Sequence, residues 1–145
     1  MNHRRFSLKV LITACAIASI PFAVIAKARH EHARHLKLGN EIEAIGGIVS
    51  FRRQHWGPEW ASDRIAVVDL GGTEVSDERL SQLELSSFST IRVISVRNTK
   101  ISDLGVETLK SSRVSDLSLG GTAITDESLD TVVALEGLTH LDLSN

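Results

Sequence analysis

A chain of 145 residues, 42% hydrophobic but only 4% aromatic and without tyrosine, has room for one ordinary domain and a targeting segment, with a core of Leu, Ile and Val. Its formal net charge of -2 is unevenly placed: seven Lys/Arg against one acid up to Lys37, then nine against 17 from Leu38 onward, a balance of -8. An acidic body excludes nucleic acid as its partner, and the single cysteine, Cys15, excludes a disulfide framework or a thiolate metal site there.

Residues 1–9 are a basic tail with Arg4, Arg5 and Lys9. Residues 10–26, VLITACAIASIPFAVIA, carry no charge over 17 positions. As a helix they span roughly 25 Å, the short end for a bilayer core about 30 Å thick, with Lys9 and Lys27 placed to snorkel. The first expectation is a transmembrane signal anchor touching membrane lipid, which makes the protein a single-pass membrane protein. A cleaved signal ending at Val24-Ile25-Ala26 gives a secreted or periplasmic body instead. Ile12-Thr13-Ala14-Cys15 looks like a lipobox, but few apolar residues precede the cysteine and eleven uncharged ones follow it. Arg4-Arg5 with Leu8-Lys9 is a faint twin-arginine pattern, with Ser7 where a bulky residue is wanted. Basic residues are nearly balanced on both sides of the span, so the positive-inside rule sets no orientation.

Residues 27–44, KARHEHARHLKLGNEIEA, read as a juxtamembrane helix leaving the membrane, broken at Gly39-Asn40. His32 and His35 are three apart and could share a helix face, but no cysteine or spaced carboxylate completes a metal site. The cluster with His30 therefore reads as a solvated basic collar, and no metal or other cofactor is expected. Residues 45–64 read as an N-terminal cap. Ile48 to Arg53 supply a first strand, and Phe51, Trp56 and Trp60 cover the open core; His55 to Trp60 could instead form an aromatic ligand site.

Residues 65–145 repeat. Four aliphatic strand cores begin at Ile65, Ile91, Val114 and Leu138, spaced 26, 23 and 24 residues apart. Alternation at Val68/Leu70, Ile94/Val96 and Leu117/Leu119 predicts short strands with one face buried. Ser-Asp or Thr-Asp then starts a helix, with Asp77, Asp103 and Asp126 suited to the N-cap or first turn. Leu80 and Leu83, Val106 and Leu109, and Leu129 and Val132 follow at helical spacing. No single strand–helix unit buries both faces, so stacking must.

The pattern LxLxxTxITDxxLxxL, best seen from Asp116 to Val132, resembles the F-box-type (cysteine-containing) subclass of leucine-rich repeat proteins. Ile42 to Val49, IEAIGGIV, resembles a segment that bacterial membrane-anchored members place after the anchor. The resemblance implies an α/β fold: a leucine-rich repeat solenoid of three repeats and a partial fourth, with short parallel strands on the concave side and helices on the convex side, after an N-terminal transmembrane helix. It implies protein binding, and with no F-box present a ubiquitin-ligase role does not carry over. Thr73, Thr99 and Thr122 stand where most such repeats carry an asparagine ladder. The fourth repeat reaches Asn145 without a helix. Either a partner covers Leu141 and Leu143, or the chain is a shortened, nonfunctional repeat remnant.

Function is expected on the concave face, at Asp69, Ser95, Arg97, Asp116, Ser118, His140 and Asp142, as a contact for a protein partner with basic groups. No catalysis is expected: no nucleophile elbow or metal cluster accompanies His140, and Gly71-Gly72 and Gly120-Gly121 recur as turn residues rather than phosphate cradles. The alternative is a self-assembling structural module, a homo-oligomer formed through the C-terminal edge.

Overall fold

In the computed structural model, which describes residues 8–53 and 63–144 (side chains from 22 to 52 and from 63 to 144), one 37-residue helix, α1 (Leu8–Ala44), leads into the sheet. The inner face of α1 buries His35, Leu38 and Ile42, at spacings of three and four residues that place them on one side of a helix. Lys37 and Glu41, one turn apart, support its solvated side at 3.7 Å. Gly39 lies on the packed face, where an added Cβ would meet the Phe51 ring at 3.4 Å and Val49 at 3.7 Å. These are ordinary contact distances, so the position is well packed without demanding glycine, and the burial of His35, Leu38 and Ile42 around it outweighs the glycine's propensity cost of about 1 kcal/mol. The break expected at Gly39-Asn40 is absent for this reason. α1 ends where Gly46 turns left-handed (φ 86°) and the amides of Gly46 and Gly47 close on the carbonyls of Glu43 and Ile42.

Five strands follow, β1 (Ile48–Arg53), β2 (Asp63–Asp69), β3 (Val93–Ser95), β4 (Asp116–Ser118) and β5 (His140–Asp142), side by side in chain order. β1 runs antiparallel to β2, with a bulge between Ser50 and Phe51. β2 to β5 are parallel, and one register aligns Val68, Ile94, Leu117 and Leu141. The short helices α2 (Asp77–Gln82), α3 (Asp103–Glu107) and α4 (Leu129–Val133) connect successive parallel strands. Val68, Ile94 and Leu117 are at most 1% exposed and join Leu70, Val96 and Leu119 in a single core that reaches Leu38 and Ile42 at one end and Val132 and Leu135 at the other. Leu141 and Leu143 are 40% and 43% exposed.

The solenoid and transmembrane expectations are corrected on two counts. The architecture is a small α/β domain: a five-stranded mixed sheet with four helices among the described residues. Strand alternation says which face is buried but not which way a strand runs, so it could not foresee the antiparallel β1. No helix among the described residues is long and apolar enough to cross a membrane. The side chains of most of the expected anchor, up to Pro21, lie outside the described set. Residues 27–44 do not leave as a solvated collar either: they are the part of α1 that packs on β1 and β2, and His35 is 2% exposed. This face of α1 covers the first end of the core. Phe51, expected to do so, is 42% exposed, and Trp56 and Trp60 lie outside the described residues.

The units are tied to one another by carboxylates. Ser76, Ser102 and Thr125 cap the helical turns that follow them, each hydroxyl accepting a backbone N–H. The aspartate after each cap turns to the next unit. Asp77 accepts from the backbone N–H and hydroxyl of Ser102 at 2.8 and 2.6 Å, and Asp103 accepts both groups of Thr125 at 2.8 Å. The N–H of Thr125, then its hydroxyl, hold the Asp103 carboxyl below the usual range. Thr73, Thr99 and Thr122 do not replace an asparagine ladder between units. Each donates its hydroxyl to a carbonyl three residues back, closing its own turn.

Candidate functional site: the open face of the sheet

Burying one side of β2, β3 and β4 leaves the other side turned outward, and the common register with β5 sorts its residues into rows. Asp116 and His140 are direct neighbours in the row that begins Val67, Val93. Asp69, Ser95, Ser118 and Asp142 form the next row. Adjacent strands lie about 4.8 Å apart, so this row presents a carboxylate, two hydroxyls and a second carboxylate over about 14 Å. Two residues further along, Arg97 lies between Gly71 and Gly120, a placement supported by the bonds Gly72 N–H to Arg97 and Asn98 N–H to Gly120.

The Arg97 guanidinium crosses to β5, donating to Asp142 Oδ2 at 2.7 Å and to Ser144 Oγ at 3.4 Å. A Cβ at Gly120 would collide with the Ser144 carbonyl. Asp69 bends back to accept the Gly71 N–H at 2.9 Å. Asp142 is held twice more, by the Ser144 hydroxyl at 2.6 Å and the Ser144 N–H at 3.0 Å. These two bonds first, and Arg97 more weakly, keep the Asp142 carboxyl below the usual range.

The second pair is Asp116 Oδ1 with His140 Nδ1 at 3.2 Å, both substantially exposed. The Ser115 hydroxyl donates to Asp116 Oδ2 at 2.5 Å, and Thr139 Oγ1 lies 3.0 Å from His140 Nδ1. Serine, aspartate and histidine thus meet, but the carboxylate stands in the middle. A nucleophile relay needs the imidazole between hydroxyl and carboxylate, and here the Ser115 hydroxyl has Asp116 and the Arg92 carbonyl as its acceptors instead. Among the described residues, no group of three or more His, Cys, Asp or Glu is placed to hold a metal ion.

The sequence-predicted residues therefore fall on one face but divide into two clusters. Arg97 joins Asp142, and Asp116 joins His140. Asp69, Ser95 and Ser118 line the row between the clusters and the β2 side. Thr139 and Ser115 were missed as site residues, whereas Ser144 follows Asp142 at the same two-residue step that places Gly71 after Asp69 on the open face. Against known proteins, neither a family model, nor a curated protein, nor a solved structure matches the chain.

Proposed function

We propose that the chain is a protein-binding module, without catalysis, whose open sheet face docks a partner segment bearing Lys or Arg side chains. The reading is carried by one observation: the face sets three carboxylates, Asp69, Asp116 and Asp142, against one guanidinium, Arg97, in a register fixed by the parallel strands. The Arg97–Asp142 ion pair and the Asp116–His140 contact on the face are solvent-accessible and each is worth little, so a cationic partner exchanges with them at small cost. The test is an array of immobilised peptides of graded charge, probed with the full chain and with the double variant Asp69→Lys, Asp116→Lys. Basic peptides should retain the first and not the second, with both variants folded by circular dichroism. Equal retention of the two proteins would remove this face as the site.

A second reading, self-assembly through β5, is favoured by the aliphatic groups gathered at that edge. Leu129, Leu141 and Leu143 are about 40% exposed and Val133 is 84% exposed, beside a strand paired on one side only. Sedimentation equilibrium on the full chain distinguishes the two: a monomer throughout the micromolar range ends the self-assembly reading.

A further inference from the structure

Between α1 and the segment Ser87 to Thr90 that precedes β3 lies a cleft of about 490 Å³. Three cations reach it from two elements: Lys27 and Arg34, seven residues and so about two turns apart on one side of α1, and Arg64 on β2. Among the described residues Glu31 is the one carboxylate on its wall, at 3.9 Å from Arg34. Among the described residues no carboxylate lies within ion-pair distance of Lys27 or Arg64. Arg34 is held in place, donating to Ser87 Oγ at 2.8 Å and stacking over the Phe88 ring at 4.7 Å, which leaves other donors of its fork for a ligand. His35 lies at the wall, its Nδ1 accepting the Ile65 N–H at 3.4 Å. Burial first, and then the Arg64 charge, push the His35 pKa below its ordinary value. Phe22 and Val24, exposed by 75% and 62%, stand one turn before Lys27, and Val24 itself lines the cleft.

We propose that this cleft binds a phosphate group, presented either by a free phosphate or by a phospholipid headgroup. Three cations less Glu31 leave two positive charges, which match a phosphate near pH 7. The concentration of charge is local, since the body from Leu38 onward is acidic by eight. The ligand is therefore a compact anion and not an extended polyanion.

The full chain, kept in a neutral detergent, is titrated calorimetrically with inorganic phosphate, and in parallel with mixed micelles of the same detergent containing phosphatidic acid. Saturable binding is expected in at least one arm. Lys27→Gln and Arg64→Gln should each weaken it about tenfold, and Glu31→Gln should tighten it several-fold. Binding of inorganic phosphate identifies a soluble ligand; binding confined to the phosphatidic acid micelles identifies a headgroup. Because Glu31→Gln removes no contact with the core, a gain in affinity there keeps the test decisive even if Arg64→Gln melts early. No saturable binding in either arm overturns the proposal, as does binding that Lys27→Gln and Glu31→Gln both leave unchanged.

Discussion

Asp77→Ala removes the carboxylate that joins α2 to the start of α3. The backbone N–H and hydroxyl of Ser102 lose their acceptor at 2.8 and 2.6 Å. A hydrogen bond to a charged group contributes about 1.5–3 kcal/mol, but this pair is half-open to water and Ser102 can be rehydrated, so the two bonds together contribute about 2 kcal/mol. Asp77→Asn keeps one acceptor and the shape that Gly105 packs against, and should cost about half as much. Asp126 supplies the control. It has the same position after its cap, Thr125, but among the described residues no further unit donates to its carboxylate, so Asp126→Ala should stay within about 0.5 kcal/mol. Urea unfolding followed by circular dichroism measures all three, as midpoint shifts at constant slope. Hydrogen exchange at the Ser102 amide adds a local reading and should quicken in Asp77→Ala alone. Equal losses for Asp77→Ala and Asp126→Ala, with Ser102 protection unchanged, would refute the reasoning that these aspartates tie one unit to the next.

Leu117→Ala empties the centre of the sheet between Ile94 and Leu141 and should cost about 2–5 kcal/mol, whereas Leu141→Ala, already 40% exposed, should cost less than about 1.5 kcal/mol; thermal melts that rank them equally would contradict the burial gradient along the sheet. His35 is buried and neutral with Arg64, Arg34, His32 and Glu31 around it, and its folded pKa lies below the ordinary 6.5. On acidification the unfolded chain takes up the proton first, so stability from this site is full above pH 6.5 and falls from there toward the folded pKa. Melting temperatures across pH 5–8 should show that fall, and His35→Gln should flatten it. Gly120→Ala sets a methyl against the Ser144 carbonyl, which should loosen β5 and speed exchange of the Leu119 amide, bonded to Asp142 at 2.8 Å; unchanged exchange would show that this close approach does not constrain the strand.

The parts legible in the sequence are those set by short periods. Alternation picked out Val68, Ile94 and Leu117 as buried, and the Ser-Asp and Thr-Asp pairs marked where helical turns start, because both signals act within a few residues. Strand direction has no such local code, so IVSFRR in β1 reads alike whether parallel or antiparallel. The docking of α1 was hidden for a different reason. Among the described residues its buried side uses His35, Leu38, Gly39 and Ile42 within a stretch otherwise rich in charge, and a glycine that suggests a helix break lies on that packed side. The functional face was legible as a set of residues, not as pairs. Arg97 with Asp142 is separated by 45 residues in the chain, and their meeting depends on the register of the strands between them. The cleft beside α1 follows a spacing that was there to see: Val24, Lys27, Glu31 and Arg34 recur every three or four residues, on one side of a helix.

Every row on the open face depends on the register of β2 to β5. Scalar couplings across hydrogen bonds, measured by solution NMR on isotope-labelled full-length protein, read that register directly. Couplings are predicted from the amide of Leu70 to the carbonyl of Ser95, from Val96 to Ser118 and from Leu119 to Asp142. Partners displaced by two residues, or an antiparallel pattern among these strands, would contradict it and scatter Asp69, Ser95, Ser118 and Asp142 from their common row.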